Sequence, residues 1–360
     1  MLSHKKSKPL RLYCEPHTMT KMPEIISLDD VRQILSDLPG PDLEAAQEAK
    51  AREPQLTKPE GSLGRLEQLS TWVAAWQGRY PPRMKTPNAH VFAGNHGVVK
   101  QGVSAYPSDV TAQMVANFEN GGAAVNQMCE ALGVGLCVET MDLDNPVQDF
   151  TENPAMSDTE CAAAIAFGMK VVDEASDVVC LGEMGIGNTT ASSAICYALF
   201  GGNALTWAGP GTGLDKVGIG KKAEVINIGI KNYRDHMEDG LDALRLFGGR
   251  EMAAITGAVI GARLKQVPVL LDGFVSTASA AVLQSLNKRA LDHCKVGHVS
   301  QEPGHTMLLE KLGKNAILDQ NMRLGEATGA VLAVSMLKAA IACHNGMATF
   351  GEAGVSEKGE

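Results

Sequence analysis

Two glycine-rich stretches, each holding a glutamate, are the parts of this 360-residue sequence best suited to chemistry. The first, residues 182–190, reads GEMGIGNTT and follows a short apolar run. Its glycines allow a tight turn whose backbone N–H groups point at an anion, and its Asn and Thr side chains add donors where a helix begins. Glu183 places a carboxylate in this anion-favouring loop, which predicts either contact with a cation or proton chemistry.

The second stretch, residues 324–330, reads LGEATGA and precedes a long apolar segment. Taken alone, Glu326 is explained as an acidic residue that interacts favourably with a helix dipole. Together with Glu183, however, it gives two carboxylates in glycine-flanked turns. This pair predicts a general base and a group that stabilises positive charge.

A third glycine cluster, GPGTGLD at 209–215, is followed by Lys221 and Lys222. A lysine beside a phosphate acts as a point-charge clamp. The alternative, a solvated charged helix face, remains open for each lysine taken by itself.

His96 and His305 follow apolar runs without metal-ligand spacing, so we interpret both as structural histidines bonded to loop carbonyls. None of the eight cysteines forms a C-x-x-C pair, which favours buried reduced thiols. The sequence contains no G-x-S-x-G elbow, no catalytic Cys–His signature and no paired-aspartate magnesium site.

Short apolar runs that end in glycine or polar residues alternate with Ala-rich, helix-compatible segments. The runs are residues 90–94, 134–139, 177–182, 204–209 and 267–273. This pattern predicts an α/β fold with a mostly parallel, Rossmann-like sheet flanked by helices. Buried parallel strands explain why the runs are continuously apolar, and ligands bind beyond the carboxyl ends of such strands.

We expect three regions: a tail or misassigned start over 1–25, a small helical lobe from 26–85 plus 326–360, and a large α/β domain over 86–325. The small lobe rests on an apolar stripe at helical spacing, read as a packing face with Ser62 as its cap. The stripe comprises Leu63, Leu66, Leu69, Trp72, Val73 and Trp76.

The chain has 41 acidic and 32 basic residues and a formal net charge of −9. This balance argues against a nucleic-acid-binding surface, which needs phosphate-neutralising Lys and Arg. No uninterrupted apolar run approaches the roughly 18 residues that a membrane span needs. A small phosphorylated ligand remains compatible with this composition.

The glycine loops lie among further distinctive stretches that span nearly the whole chain. These are KPEGSLGRLE at 58–67, NHGV at 95–98, GVSAYPSDVTAQM at 102–114, LDGF at 271–274, SQEPGH at 300–305, RLGEATG at 323–329 and MATF at 347–350. In this order, they resemble the nicotinate-nucleotide–dimethylbenzimidazole phosphoribosyltransferase family. Each stretch is weak alone, whereas the ordered set is specific.

The resemblance implies transfer of ribose 5-phosphate from nicotinate mononucleotide to 5,6-dimethylbenzimidazole, giving α-ribazole 5′-phosphate and nicotinate, in cobalamin nucleotide-loop assembly. It implies a cytoplasmic homodimer with neither cofactor nor metal. Glu326 matches the family's base and Glu183 its second active-site glutamate. The remaining matches are Gly185, Ile186, Gly187, Asn188, Thr189, Lys222 (with Lys221 as the alternative) and Ser300 for the nucleotide, and Tyr106, Met114 and Leu324 for the aryl base.

Two positions depart from the family's usual pattern. Ala327 stands where glycine is usual after the catalytic glutamate, and Asn95 replaces a common aspartate. Tyr106 and Met114 occupy variable positions, so the resemblance fixes the acceptor base less firmly than the reaction. The alternatives are a non-catalytic nucleotide-binding or regulatory protein on the same fold and a Rossmann-type NAD oxidoreductase, which the lack of G-x-G-x-x-G disfavours.

Overall fold

Five short strands pair into one parallel sheet in the computed structural model, which describes residues 20–356. The strands are β1 (Pro87–Ala93), β2 (Gly135–Thr140), β3 (Val178–Met184), β4 (Val269–Leu271) and β5 (Cys294–Val296). Their spatial order is β2-β1-β3-β4-β5, and every neighbouring pair is parallel. The structure therefore confirms the α/β class and the parallel sheet.

Helices cover both faces of the sheet. They are α1 (Leu28–Ser36), α2 (Leu43–Arg52), α3 (Arg65–Gln77), α4 (Asp109–Glu119), α5 (Ala124–Leu132), α6 (Asp158–Val171), α7 (Asn188–Phe200), α8 (Ala204–Trp207), α9 (Lys216–Tyr233), α10 (Gly240–Phe247), α11 (Arg250–Leu264), α12 (Phe274–Leu286), α13 (Pro303–Leu312), α14 (Thr328–Gly346) and α15 (Phe350–Ala353). Short 3₁₀ turns occupy Glu53–Gln55, Gly97–Gln101 and Arg234–His236.

Strand β3 shows why the apolar runs are continuous. Val179 and Leu181 point into a core shared with α6, α11 and α12, whereas Val178 and Cys180 point into a second core shared with α3, α5 and α14. All four residues are fully buried. Successive side chains of a strand face opposite sides, so a sheet covered on both faces needs apolar residues at every position.

The structure corrects two strand assignments. Residues 204–209, predicted as a strand, form the short helix α8, whose start is capped by the Asn203 side chain accepting from the Thr206 N–H at 2.9 Å. The apolar character of this run serves to bury Trp207 rather than to build a strand. Strand β5 was not predicted, because Lys295 at its centre interrupts the apolar pattern.

The predicted packing stripe lies on α3 except for Leu63, which precedes the helix, and its Leu69, Trp72, Val73 and Trp76 are buried. The prediction that Ser62 caps this helix is wrong: α3 begins after Gly64, with no side-chain cap. Gly64 has φ 55° and ψ −121°, so the chain enters the helix through a backbone shape that glycine adopts readily.

The helices of the N-terminal segment pack against two different parts of the structure. Helix α1 contacts α6 and α12, whereas α3 contacts α2 and α14. The division into a small lobe and a large domain stays a prediction. The tail predicted over 1–25 lies mostly outside the described residues.

Among residues 20–356, α14 alone is long and apolar enough by length and composition to cross a membrane. Its Val331, Val334 and Leu337 are fully buried in the core shared with α3 and α5. Burial inside the protein accounts for this apolar face, as expected of a core helix.

Candidate active site

The candidate site lies at the carboxyl ends of β1 and β3, the two strands at which the strand order reverses. In open parallel sheets, ligands bind in the crevice at this switch point. The loops after the two strands are in close contact here: a Cβ placed on Gly185 would lie 2.8 Å from the carbonyl oxygen of Gly94. Gly185 therefore keeps the turn after β3 flat against the turn after β1.

The turn from Gly185 to Thr189 leads directly into α7. Gly187 is the N-cap residue and has φ 97°, and a Cβ there would lie 2.7 Å from Val99. Ile186 anchors the turn, since its N–H donates to the Thr111 hydroxyl on α4 at 3.2 Å. No side chain caps α7, but the N–H groups of Asn188 and Thr190 donate to the carbonyls of Gly185 and Gly187 within the turn. The N–H of Thr189, between them, is therefore our candidate donor to an anion at this helix start.

Lys222 supplies a positive charge beside this turn. Its side chain is fully buried, and its Nζ donates to Thr189 Oγ1 and to the Gly209 carbonyl, both at 3.0 Å. Burial lowers the pKa of Lys222 to about 8, opposed by the charge of Glu302. Lys221 is exposed, and its Nζ lies near Gly102 instead. The structure thus brings Lys222, and not Lys221, to Thr189.

Glu302 is a buried residue of this region that the sequence did not single out. One of its oxygens accepts the Gly211 N–H at 2.8 Å. This bond fixes the third glycine cluster, residues 209–215, next to Thr189 and Lys222. Burial raises the pKa of Glu302, opposed by Lys222 and the Gly211 N–H. Ser300 is buried beside it, and its hydroxyl accepts the Glu302 N–H at 3.3 Å.

The two glutamates predicted for catalysis lie on segments joined to each other. The Glu326 N–H donates to the Glu183 carbonyl oxygen at 3.1 Å. A Cβ placed on Gly325 would lie 2.7 Å from Glu183 Oε1, so the Glu183 side chain runs along the loop that holds Glu326. Asn188 donates to the other carboxylate oxygen of Glu183. The glycine turn and both glutamates therefore form one connected group.

Both carboxyl groups bind protons more tightly than ordinary glutamates. Burial, together with the charge of Asp272, raises the pKa of Glu326 to about 7. Burial and Asp272 likewise raise the pKa of Glu183 to about 8, with smaller contributions from Glu251 and Glu326 and against the Asn188 bond. A carboxylate with a pKa near neutral pH is suited to general-base work.

Asp272 and Glu251 complete this acidic group and were missed as site residues. Asp272 stands in LDGF, where its position directly after an apolar run was the available signal. Glu251 lies at the start of a helix, and no sequence pattern marks it. Its Oε1 lies 2.6 Å from His96 Nε2, so His96 is bonded to a carboxylate rather than to the expected loop carbonyl.

His305 also differs from the expected carbonyl bond. Its Nδ1 accepts the Ser300 N–H at 2.8 Å, and its Nε2 lies 3.2 Å from the Thr277 hydroxyl. Burial lowers the pKa of His305 to about 3, so the ring stays neutral and serves to hold the Ser300 loop.

The three residues predicted for the aryl base lie on separate segments. Tyr106 is 52% exposed on the loop before α4, and Leu324 is 56% exposed just before Glu326. Met114 is half-buried on α4. The loop of Tyr106 reaches the third glycine cluster, residues 209–215, since the Ser104 and Thr212 hydroxyls lie 3.4 Å apart. Leu324 is two residues before Glu326 in sequence.

Among residues 20–356, one group of side chains has the spacing of metal ligands: His90, Cys137 and Glu139. They lie within strands β1 and β2. His90 is paired with Glu139 at 3.4 Å, and Cys137 is disulfide-bonded, so the expectation of reduced thiols is wrong at this cysteine. We assign no metal to this group.

The chain is similar to known phosphoribosyltransferases in sequence and in fold. Residues 38–355 match a family described as phosphoribosyltransferase. A protein from Rhizobium meliloti (strain 1021), named nicotinate-nucleotide–dimethylbenzimidazole phosphoribosyltransferase, is 53% identical over 92% of this chain and 98% of its own length. A protein of the same name from Sinorhizobium fredii (strain NBRC 101917 / NGR234) is 52% identical over the same shares. The solved structure of CobT from Thermus thermophilus superposes with a TM-score of 0.81, at 36% identity over 88% of this chain and all of that chain.

The fold and these matches define the chain as a phosphoribosyltransferase of the α/β class. Within that class, the chain belongs to the nicotinate-nucleotide–dimethylbenzimidazole phosphoribosyltransferase family. The family resemblance drawn from the sequence is confirmed.

The raised pKa of Glu183 predicts a stability that depends on pH. Between the ordinary value of 4.5 and about 8, the folded protein binds a proton that the unfolded chain has lost. Its stability therefore falls as pH rises through this window. Glu183→Gln removes this loss. The melting temperature of the variant minus that of the wild type should therefore be larger at about pH 8 than at about pH 5.

Thermal melts of both proteins at the two pH values measure this difference. Glu310→Gln, which changes an exposed glutamate on α13, serves as the control. If the difference in melting temperature between Glu183→Gln and the wild type is the same at both pH values, Glu183 is not held protonated.

Proposed function

We propose that the chain transfers ribose 5-phosphate from nicotinate mononucleotide to 5,6-dimethylbenzimidazole, releasing nicotinate and α-ribazole 5′-phosphate for cobalamin nucleotide-loop assembly. The name that the relatives share supports these substrates. The observation that carries the proposal is that Glu183 and Glu326 lie on bonded segments next to the glycine turn. Lys222 donates to Thr189 at the end of this turn. This arrangement offers negative charge for a cationic ring and positive charge for a phosphate within one crevice.

The leaving group needs no acid. In nicotinate mononucleotide the ring nitrogen bonded to ribose carries a positive charge. When the bond between this nitrogen and the anomeric carbon breaks, its electron pair returns to the ring, and nicotinate leaves with a neutral ring. The reaction accordingly calls for a group that stabilises cationic character at the ribose rather than one that protonates the leaving group.

Glu183 is our candidate for that stabilising group. Because its pKa is about 8, the Glu183 carboxyl holds a proton at neutral pH before a cation binds beside it. A pyridinium that enters beside it favours the ionised form, since an opposite charge lowers a carboxyl pKa. Nucleotide binding would then release the proton and leave a carboxylate facing the positive charge.

Glu326 is our candidate for the base. The free nitrogen of the benzimidazole attacks the anomeric carbon, which makes the azole ring cationic while its other nitrogen still carries hydrogen. Transfer of that proton to the Glu326 carboxylate neutralises the product ring. A pKa of about 7 leaves a useful fraction of Glu326 ionised near neutral pH and makes it strong enough to accept the proton.

The phosphate group is assigned to the opposite end of the crevice. Gly185, Ile186, Gly187, Asn188 and Thr189 supply the turn and the start of α7. Lys222 supplies the charge, and Ser300 borders the same loops. Helix N-termini and lysine charges are both common partners of phosphate.

Tyr106, Met114 and Leu324 are our candidates for the surface that receives the acceptor base. The exposure of Tyr106 and Leu324 supports this assignment, since both present apolar area next to the glutamate and glycine loops. We further propose that the enzyme is a cytoplasmic homodimer. The homodimer follows from the family resemblance of the sequence. The free thiols at Cys161, Cys180 and Cys196 support a reducing compartment, whereas the disulfide at Cys137 does not.

The assay that tests this function measures nicotinate released from nicotinate mononucleotide plus 5,6-dimethylbenzimidazole. The wild type should release nicotinate and form α-ribazole 5′-phosphate. Glu326→Gln should lower kcat about 10²- to 10⁴-fold, the usual contribution of a general base, and change KM for the nucleotide by less than about threefold.

The matched control is Glu139→Gln, which alters another buried glutamate at the end of β2. It should keep kcat near the wild-type value. The proposal fails if the wild type releases no nicotinate, and Glu326 is excluded as the base if its glutamine variant turns over normally.

Exchange of the two neighbouring lysines tests the phosphate assignment. Lys222→Met keeps the volume but removes the charge, so KM for nicotinate mononucleotide should rise about 10- to 100-fold, the value of a charged hydrogen bond. Lys221→Met should change KM by less than about threefold. Steady-state kinetics at about pH 7 measure both, and a KM effect confined to Lys221→Met would assign the phosphate to that lysine.

A further inference from the structure

Asp272 is a fully buried acid that the reaction described above does not use. It follows β4 directly and is 1% exposed. Its Oδ1 accepts the Ala330 N–H at 2.9 Å, and the N–H groups of Ala327 and Gly329 also stabilise its charge. All three donors belong to the start of α14, immediately after Glu326.

This contact replaces a missing cap. The N-cap residue of α14 is Ala327, which has no side chain able to cap the helix. The first N–H groups of a helix lack partners within it and need an acceptor from elsewhere. A carboxylate from β4 meets this need and also interacts favourably with the positive end of the helix dipole.

The loop that Asp272 holds is strained at the catalytic position. Glu326 has φ 60° and Ala327 has φ 63°, a left-handed backbone that is unfavourable for residues with a Cβ. Thr328 closes the loop by donating its hydroxyl to the Gly325 carbonyl at 2.7 Å. Such strain persists only where surrounding contacts fix the chain, and Asp272 provides the contact at the helix end.

A cap alone would not require a buried charge. The second oxygen of Asp272 finds no hydrogen-bond partner among the described residues, although it is buried. His298 Nε2 lies 3.8 Å from the first oxygen, and the His298 ring is wedged between Gly273 and Gly329. A neutral acceptor such as asparagine would accept from one N–H group at a smaller desolvation cost. It would lose the charge that the helix end and the three N–H groups stabilise, so it would hold the loop only in part.

We infer that Asp272 is a positioning residue for catalysis, which holds the loop over 325–330 so that the Glu326 carboxylate faces the reacting azole. The inference rests on the proposed function, because it gives Glu326 the role of base. Asp272 itself does not touch the substrate. It acts through the backbone of Ala327, Gly329 and Ala330.

The experiment compares Asp272→Asn and Asp272→Ala with the wild type in nicotinate release, with rates expressed per nucleotide-binding site. The alanine variant should lower kcat about 100-fold, as expected when a catalytic group is displaced by about 1 Å. The asparagine variant, which keeps one acceptor oxygen, should restore part of this loss. KM for nicotinate mononucleotide should stay within about threefold in both, because the phosphate loops are untouched.

Asp177→Asn is the matched control. Asp177 is a buried aspartate at the opposite end of β3, and it accepts the backbone N–H groups of Lys85 and Thr86. Its variant should lose thermal stability but keep kcat. If the alanine variant of Asp272 does not accumulate as folded protein, Asp272→Asn decides alone.

Two results overturn the inference: an unchanged kcat for Asp272→Asn with stability lowered as in Asp177→Asn, or a raised KM with unchanged kcat. Failure of the proposed function is distinguishable from both, since in that case the wild type itself releases no nicotinate.

Discussion

The hydrogen bond from the Glu326 N–H to the Glu183 carbonyl is the contact on which the site depends. It joins the end of a central strand to the loop before α14, so the segments that carry these two glutamates, about 140 residues apart in sequence, lie side by side. Close approach makes this bond possible: a Cβ on Gly182 would lie 2.1 Å from the backbone nitrogen of Ala327. Glycine at 182 is required because any side chain there would push the catalytic loop away from the sheet.

The acidic group around this bond is costly to the fold and useful to the reaction. Burial raises the pKa of Glu183, Asp272 and Glu326, and the charge of Asp272 raises that of both glutamates further. The positively charged ring of the nucleotide would offset this repulsion between carboxylates. The carboxylates thus interact with the ring and the ribose, where positive charge changes during the transfer. Interactions at these positions can stabilise the transition state.

Much of this arrangement could be predicted from the sequence, because parallel strands put the residues that follow them at one edge. Glu183 and Glu326 were predicted together because two carboxylates in glycine-flanked turns are harder to explain structurally than either one alone, and because both match the family's glutamates. Glu302 and Glu251 were missed, because their partners, the Gly211 N–H and His96, are distant in sequence. The sequence pattern was also misleading at residues 204–209. The apolar residues there bury Trp207 in a short helix, although the run resembles a strand.

The central claim is that one crevice holds the phosphate at Lys222 and the azole at Glu326. A crystal structure of the enzyme with α-ribazole 5′-phosphate tests it most directly. Our account predicts phosphate oxygens within about 3 Å of Lys222 Nζ and the α7 N–H groups, and a benzimidazole nitrogen at hydrogen-bonding distance from the Glu326 carboxylate. A benzimidazole ring bound away from Glu326, or a phosphate that contacts neither Lys222 nor the start of α7, would contradict it.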